Sequence, residues 1–138
     1  MKRLLSVILA TCLMLPIAQA HSATRRTIMI AQAQGLVLKA LTAEQKRLPG
    51  LAAEQYQDPN SSRFFFFTVT WAAGPGQSVV VGNYAVDPYT GDVWSAVVAC
   101  EELRNRTLQV LQGRLRQSLG LSEAQYKRLK TKGPLCEE

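Results

Sequence analysis

The stretch Arg63-Phe64-Phe65-Phe66-Phe67-Thr68-Val69-Thr70-Trp71 decides the fold. It is aromatic and β-branched throughout, the composition that suits a pleated, half-buried strand. Successive side chains on a strand point to opposite faces. Phe64, Phe66, Thr68 and Thr70 therefore share one face, and Phe65, Phe67, Val69 and Trp71 the other. Both faces carry Phe, which predicts a central strand covered on both sides over its first half.

Working outward, Ala72-Ala73-Gly74-Pro75-Gly76-Gln77 reads as a hairpin loop, and residues 78–86 as the returning strand. Asp87-Pro88-Tyr89-Thr90-Gly91 is a tight turn with Gly where positive φ is expected, and 92–98 a last strand. Upstream, 51–57 is a first strand, followed by the turn Asp58-Pro59-Asn60-Ser61-Ser62. Before it, 24–41 reads as a helix with Ile28, Ala31, Gly35, Leu38 and Leu41 near one face. Gly35 is either a weak point or a place of close packing. Thr42-Ala43-Glu44-Gln45 suits a capping box, and Pro49-Gly50 ends the helical region.

Downstream, 101–119 reads as an amphipathic helix with the stripe Leu103, Thr107, Val110, Leu111, Leu115 and Leu119. Gly120 ends it. Ser122-Glu123-Ala124-Gln125 is a capping box for a short last helix through Thr131, stopped by Gly133-Pro134. The expected class is α+β: an N-terminal helix, an antiparallel meander of three to four strands, a C-terminal long helix plus a short helix, and one disulfide.

The 138 residues, 47% hydrophobic and 19% charged, fit one ordinary domain and exclude wholesale disorder. The first 20 form a separate unit. Lys2-Arg3, an apolar run from Leu4 to Ile17 and the small-residue exit Ala18-Gln19-Ala20 match an export signal cleaved after Ala20. The run is about 14 residues, short of the roughly 20 that span a bilayer. Leu9-Ala10-Thr11-Cys12 loosely resembles a lipobox, but Thr before the Cys fits poorly and apolar residues continue past it. Lipidation at Cys12 is therefore the lesser reading. Residues 21–138 then form a single domain, expected in the periplasm of a Gram-negative bacterium.

Cleavage lowers the net charge from +6 to +4 and the cysteines from three to Cys100 and Cys136. Two cysteines in an exported chain read as one disulfide. It closes a loop of about 37 residues, worth roughly 4 kcal/mol in the chain-entropy model. Arg104, Arg106, Arg114 and Arg116 scatter around the long helix, which favours a solvated face over a nucleic-acid patch.

The inventory disfavours most chemistries. The single His, His21, follows the cleavage site in this reading, which argues against His-based triads and multi-His metal sites. Asp87 and Asp92 lack the ligand spacing of a calcium loop, and Glu101-Glu102 read as the acidic start of a helix. No nucleophile elbow, phosphate loop or dinucleotide fingerprint occurs. No catalytic residue, metal site or cofactor is assigned. A minimal enzyme built on a carboxylate pair ranks last.

The segment Asn83-Tyr84-Ala85-Val86-Asp87-Pro88-Tyr89-Thr90-Gly91-Asp92-Val93-Trp94 resembles the strand–turn–strand of PepSY-type domains. The wider layout looks like exported cystatin-like or immunity-type proteins. The resemblance implies a small exported α+β domain connected with enzyme inhibition in the envelope. Trp94 leads here into a long helix where a PepSY unit normally ends.

The Phe cluster reads as core. Trp71, Tyr89 and Trp94, at strand ends and turns, are the candidate contact residues, with Asn60, Gly74 and Gly76 in the loops. The loops 58–62 and 72–78 and the turn 87–91 suit insertion into a cleft. The expected function is therefore a non-enzymatic module that binds another envelope or secreted protein, as an inhibitor or immunity factor. The alternative is a binder of lipid or cell-wall fragments in a cavity between sheet and helices.

Overall fold

The structure, a computed structural model, describes residues 26–58, 63–98 and 101–134. Helix α1 (Ile30–Ala40) leads through a short 3-10 turn at Gln45–Arg47 into strands β1 (Ala52–Tyr56), β2 (Phe65–Gly74), β3 (Gln77–Val86) and β4 (Val93–Ser95). Helices α2 (Arg106–Ser118) and α3 (Glu123–Leu129) follow. The four strands form one antiparallel sheet in chain order.

Opposite faces of β2 are buried for different reasons. Phe67 and Val69 face a core with Ala33, Leu36 and Val37 of α1, Tyr84, Val86 and Val93 of the sheet, and Leu108 of α2. Each such side chain, once fully buried, contributes about 1.5–3 kcal/mol. Phe66 lies on the other face with Trp94; each is 1% exposed. Phe64 stands edge-on to both rings, 6.3 Å from Phe66 and 5.6 Å from Trp94. That second layer is closed by the tail at Gly133, where a Cβ would lie 2.6 Å from the Trp94 ring.

The expected architecture needs correction. Two of the three helices follow the sheet, so the helical weight of the fold is C-terminal rather than N-terminal. The helix expected over 24–41 is only Ile30–Ala40; Ile28 lies in an extended lead-in, where its N–H donates to Pro88 O at 2.9 Å. No disulfide is shown, since Cys100 and Cys136 lie outside the described residues, as do Cys12, the 1–20 segment and Asn60.

The expected helical faces hold in part: Ile28, Leu38 and Leu41 of the first, and Leu103, Leu111, Leu115 and Leu119 of the second, lie in or against the core. In α1 the buried residues are Ala33, Leu36 and Val37, while Ala31 is exposed and Gly35 has open space around it. In α2 Leu108 and Gln112 are buried, whereas Val110 is 49% exposed. The start of α2 differs as well. Asn105 is the N-cap, its Oδ1 accepting from Leu108 N at 2.9 Å, so the helix opens at Arg106 rather than Glu101. Glu102 instead bridges to Trp94, and Leu103 N donates to Val93 O. Residues 101–103 thus extend the sheet beside β4. The capping box of α3 forms on Ser122 and Gln125.

Candidate protein-binding surface

The β2–β3 hairpin outruns the rest of the sheet. Pairing with β1 ends at Ala52↔Thr70, and β4 pairs only with Tyr84–Val86 of β3. Beyond these limits the hairpin continues to a two-residue turn of Pro75 and Gly76, closed by Gly74↔Gln77. Pro at the first central position and Gly76 at φ 70° at the second make a type II turn. The expected loop 72–77 is thus largely strand. Its base is propped by the 49–50 segment: Ala72 N donates to Pro49 O at 3.0 Å.

From Phe64 through Val86 there is no charged residue. Most side chains from 72 to 80 are exposed, including Val79 at 45% and Val80 at 58%. Trp71 is half-buried and pairs with Val79. A bulge skips Val81 between Val69↔Gly82 and Thr70↔Val80, and so exchanges the faces of the outer arm of β3. The hairpin therefore presents an apolar, uncharged arm to solvent.

A second region lies around the turn after β3. Asp87 is fully buried; its Oδ1 accepts from Tyr89 N, and its Oδ2 from Arg63 at 2.5 and 3.1 Å. Tyr89 stands 5.5 Å from the Arg63 guanidinium. Asp92, 1% exposed, accepts on Oδ1 from Arg116 at 2.5 Å and from Tyr126 O–H at 3.2 Å. Arg116 lies 3.8 Å over the Tyr126 ring. Lys130 bridges the Tyr126 hydroxyl at 3.1 Å and Glu102 at 2.9 and 3.1 Å.

Asp92, Glu102, Arg116, Tyr126 and Lys130 share a polar cleft of about 210 Å³. Burial pushes the Asp92 carboxyl up, against the pull of Arg116 and Lys130. Burial acts the same way on Glu102, but Arg104 and Lys130 together outweigh it and hold the carboxyl below its ordinary value. Opposed shifts are the pattern of acid–base pairs. Here the contacts also join α2 and α3 to the segment just before β4, through Arg116 and Tyr126 on Asp92. The cluster braces the C-terminal helices. Among the described residues no group of three or more His, Cys, Asp or Glu can hold a metal ion.

The structure separates the contact residues expected from sequence. Trp71, Gly74 and Gly76 lie together on the hairpin arm, and Tyr89 lies on the separate turn at Arg63. Trp94 requires correction: at 1% exposure under Phe64 and Gly133 it is core, not an anchor for a partner. Sequence reasoning missed Val79 and Val80, which alternation along 78–86 alone places one in and one out. It also missed the Asp92–Arg116–Tyr126 set, whose members are remote in sequence.

No family model matches this chain, and no curated protein does. Its fold is similar to a chain of a solved structure described as a type VI secretion system effector-immunity complex from Pseudomonas protegens. The likeness has a TM-score of 0.56 at 25% identity and covers 74% of this chain and 85% of the other. No helix among the described residues is long and apolar enough to cross a membrane.

Proposed function

We propose that this protein is an immunity-type binding module: it binds a secreted effector protein and neutralises it, with no reaction of its own. The likeness to a chain of an effector-immunity complex carries this reading. The exposed, uncharged hairpin arm supports it, because a surface of that kind suits a protein partner. An encounter in the periplasm belongs to this reading, and the likeness of residues 1–20 to an export signal supports it. Small-ligand binding has less support, since the layer between sheet and helices is filled by Leu36, Val37, Phe67 and Leu108.

The test is co-expression of the full chain with effectors encoded beside its gene, each directed to the periplasm. One effector should lose its toxicity and co-elute with the protein on gel filtration. Equal killing with and without the protein, for every such effector, rejects the reading.

A further inference from the structure

Every backbone N–H and C=O on a strand needs a partner, and an unprotected sheet edge is a template for another strand. The inner edge of β3 pairs with β2 along its whole length. Its outer edge meets β4 only at Tyr84–Val86, and the last bond across is Ala96 N to Asn83 O at 2.9 Å. From Gln77 to Gly82 that edge faces no strand among the described residues, over roughly 20 Å.

Natural edges are commonly blunted by charge, proline, shortness or a covering element. This one carries no charge and no Pro between Gln77 and Gly82, and its one irregularity is the bulge at Val81. The opposite edge differs. There β1 carries Glu54 at mid-strand, and Ala53 O is taken by Gln34 Nε2 at 2.7 Å. Exposed apolar side chains gather at the open edge: Val79 and Val80 lie on it, and Val97 (70%) and Val98 (54%) stand where the chain leaves β4.

We infer that the outer edge of β3 at Gln77–Gly82 receives an extended, apolar segment of the partner protein as an added strand. This rests on the effector-binding reading above and names how that partner docks. Backbone bonds along the edge supply affinity, and alternate side chains against Val80 and Val98 supply selectivity. A second copy of this chain fits less well. A self-paired edge of six residues is far smaller than the roughly 1,200 Å² of a stable dimer, whereas a partner also reaches the hairpin tip.

The test uses the full chain and the effector identified by neutralisation. Hydrogen exchange is followed in the free and bound protein, and affinity is measured for V80K on the edge and E54K on β1. On binding, those amides of 77–82 that point away from β2 should slow at least tenfold; V80K should weaken binding at least tenfold and E54K less than twofold, with melting of both variants unchanged. A complex that leaves these amides as fast as before, or tolerates V80K, overturns the added strand and leaves effector binding intact. Outward-pointing amides already slow in the free chain, through self-association or its own termini, also overturn it. Absence of any complex removes both readings.

Discussion

Replacing Gly133 by alanine adds one methyl group where the second face of the sheet is sealed. The position is adverse twice. Gly133 sits at φ 111°, a backbone conformation that L side chains rarely adopt; the cost there is about 1–2 kcal/mol. The new Cβ would lie 2.6 Å from Cδ1 and Nε1 of Trp94 and 3.1 Å from Cε2. The ring cannot yield, because it is 1% exposed and Phe64 stands against it at 5.6 Å. Overpacking of this kind costs about 1–3 kcal/mol. The sum is about 2–5 kcal/mol, or a fall in Tm of about 8–20 °C for a domain of this size. The chain has one cheaper escape, which is to lift the tail off the sheet. That route exposes Trp94 and shifts its emission to the red. A thermal melt and an emission spectrum, both in a W71F background that leaves Trp94 as the sole tryptophan, separate the two routes. A melt within about 2 °C of the parent together with unchanged emission refutes the seating of the tail on Trp94.

Three further outcomes test the packing and the braces. L108A empties a fully buried position between α2 and the sheet, and should cost about 2–4 kcal/mol in urea unfolding with an unchanged m-value; a loss below about 1 kcal/mol would show that α2 is not docked as described. R116M strands the buried Asp92 carboxylate, at about 3 kcal/mol, and the double variant D92N/R116M should recover part of that loss; additive losses argue against the pair. Glu102 titrates below its ordinary value of 4.5, so its contribution is present above that pH and lost as pH falls through the folded pKa. E102Q should therefore flatten the acid limb of Tm against pH, and an unchanged limb rejects the Arg104–Glu102–Lys130 brace.

Local chemistry was the legible part. The aromatic and β-branched run at 65–71 forms a central strand, as its composition suggests, with Phe66 and Phe67 buried on opposite faces. Gly91, expected at positive φ, is at 72°, and Ser122 and Gln125 cap α3 reciprocally. Helix boundaries and faces were less legible. Glu101-Glu102 resembles the acidic first turn of a helix, yet Asn105 four residues later is the better cap and wins. Within α2, Leu108 turns inward beside Leu111 and Leu115, and Val110 turns out. Trp94 reads as a surface aromatic in isolation; Phe64 and the return of the tail at Gly133 bury it.

The sequence by itself determined the order of the strands and the turn at 87–91, because those preferences reside in side chains a few residues apart; it did not set the strand ends, since 72–74 and 77 are strand and β4 is only Val93–Ser95. It also determined that residues 64–86 carry no charge. Tertiary structure alone decided what that absence means. It ends β4 at three residues while β3 runs for ten, and so converts an apolar strand from core into an open edge. It likewise gathers Asp92, Glu102, Arg116, Tyr126 and Lys130 around one cleft. No periodicity encodes that gathering, since it depends on how far each helix and strand runs before the chain turns back.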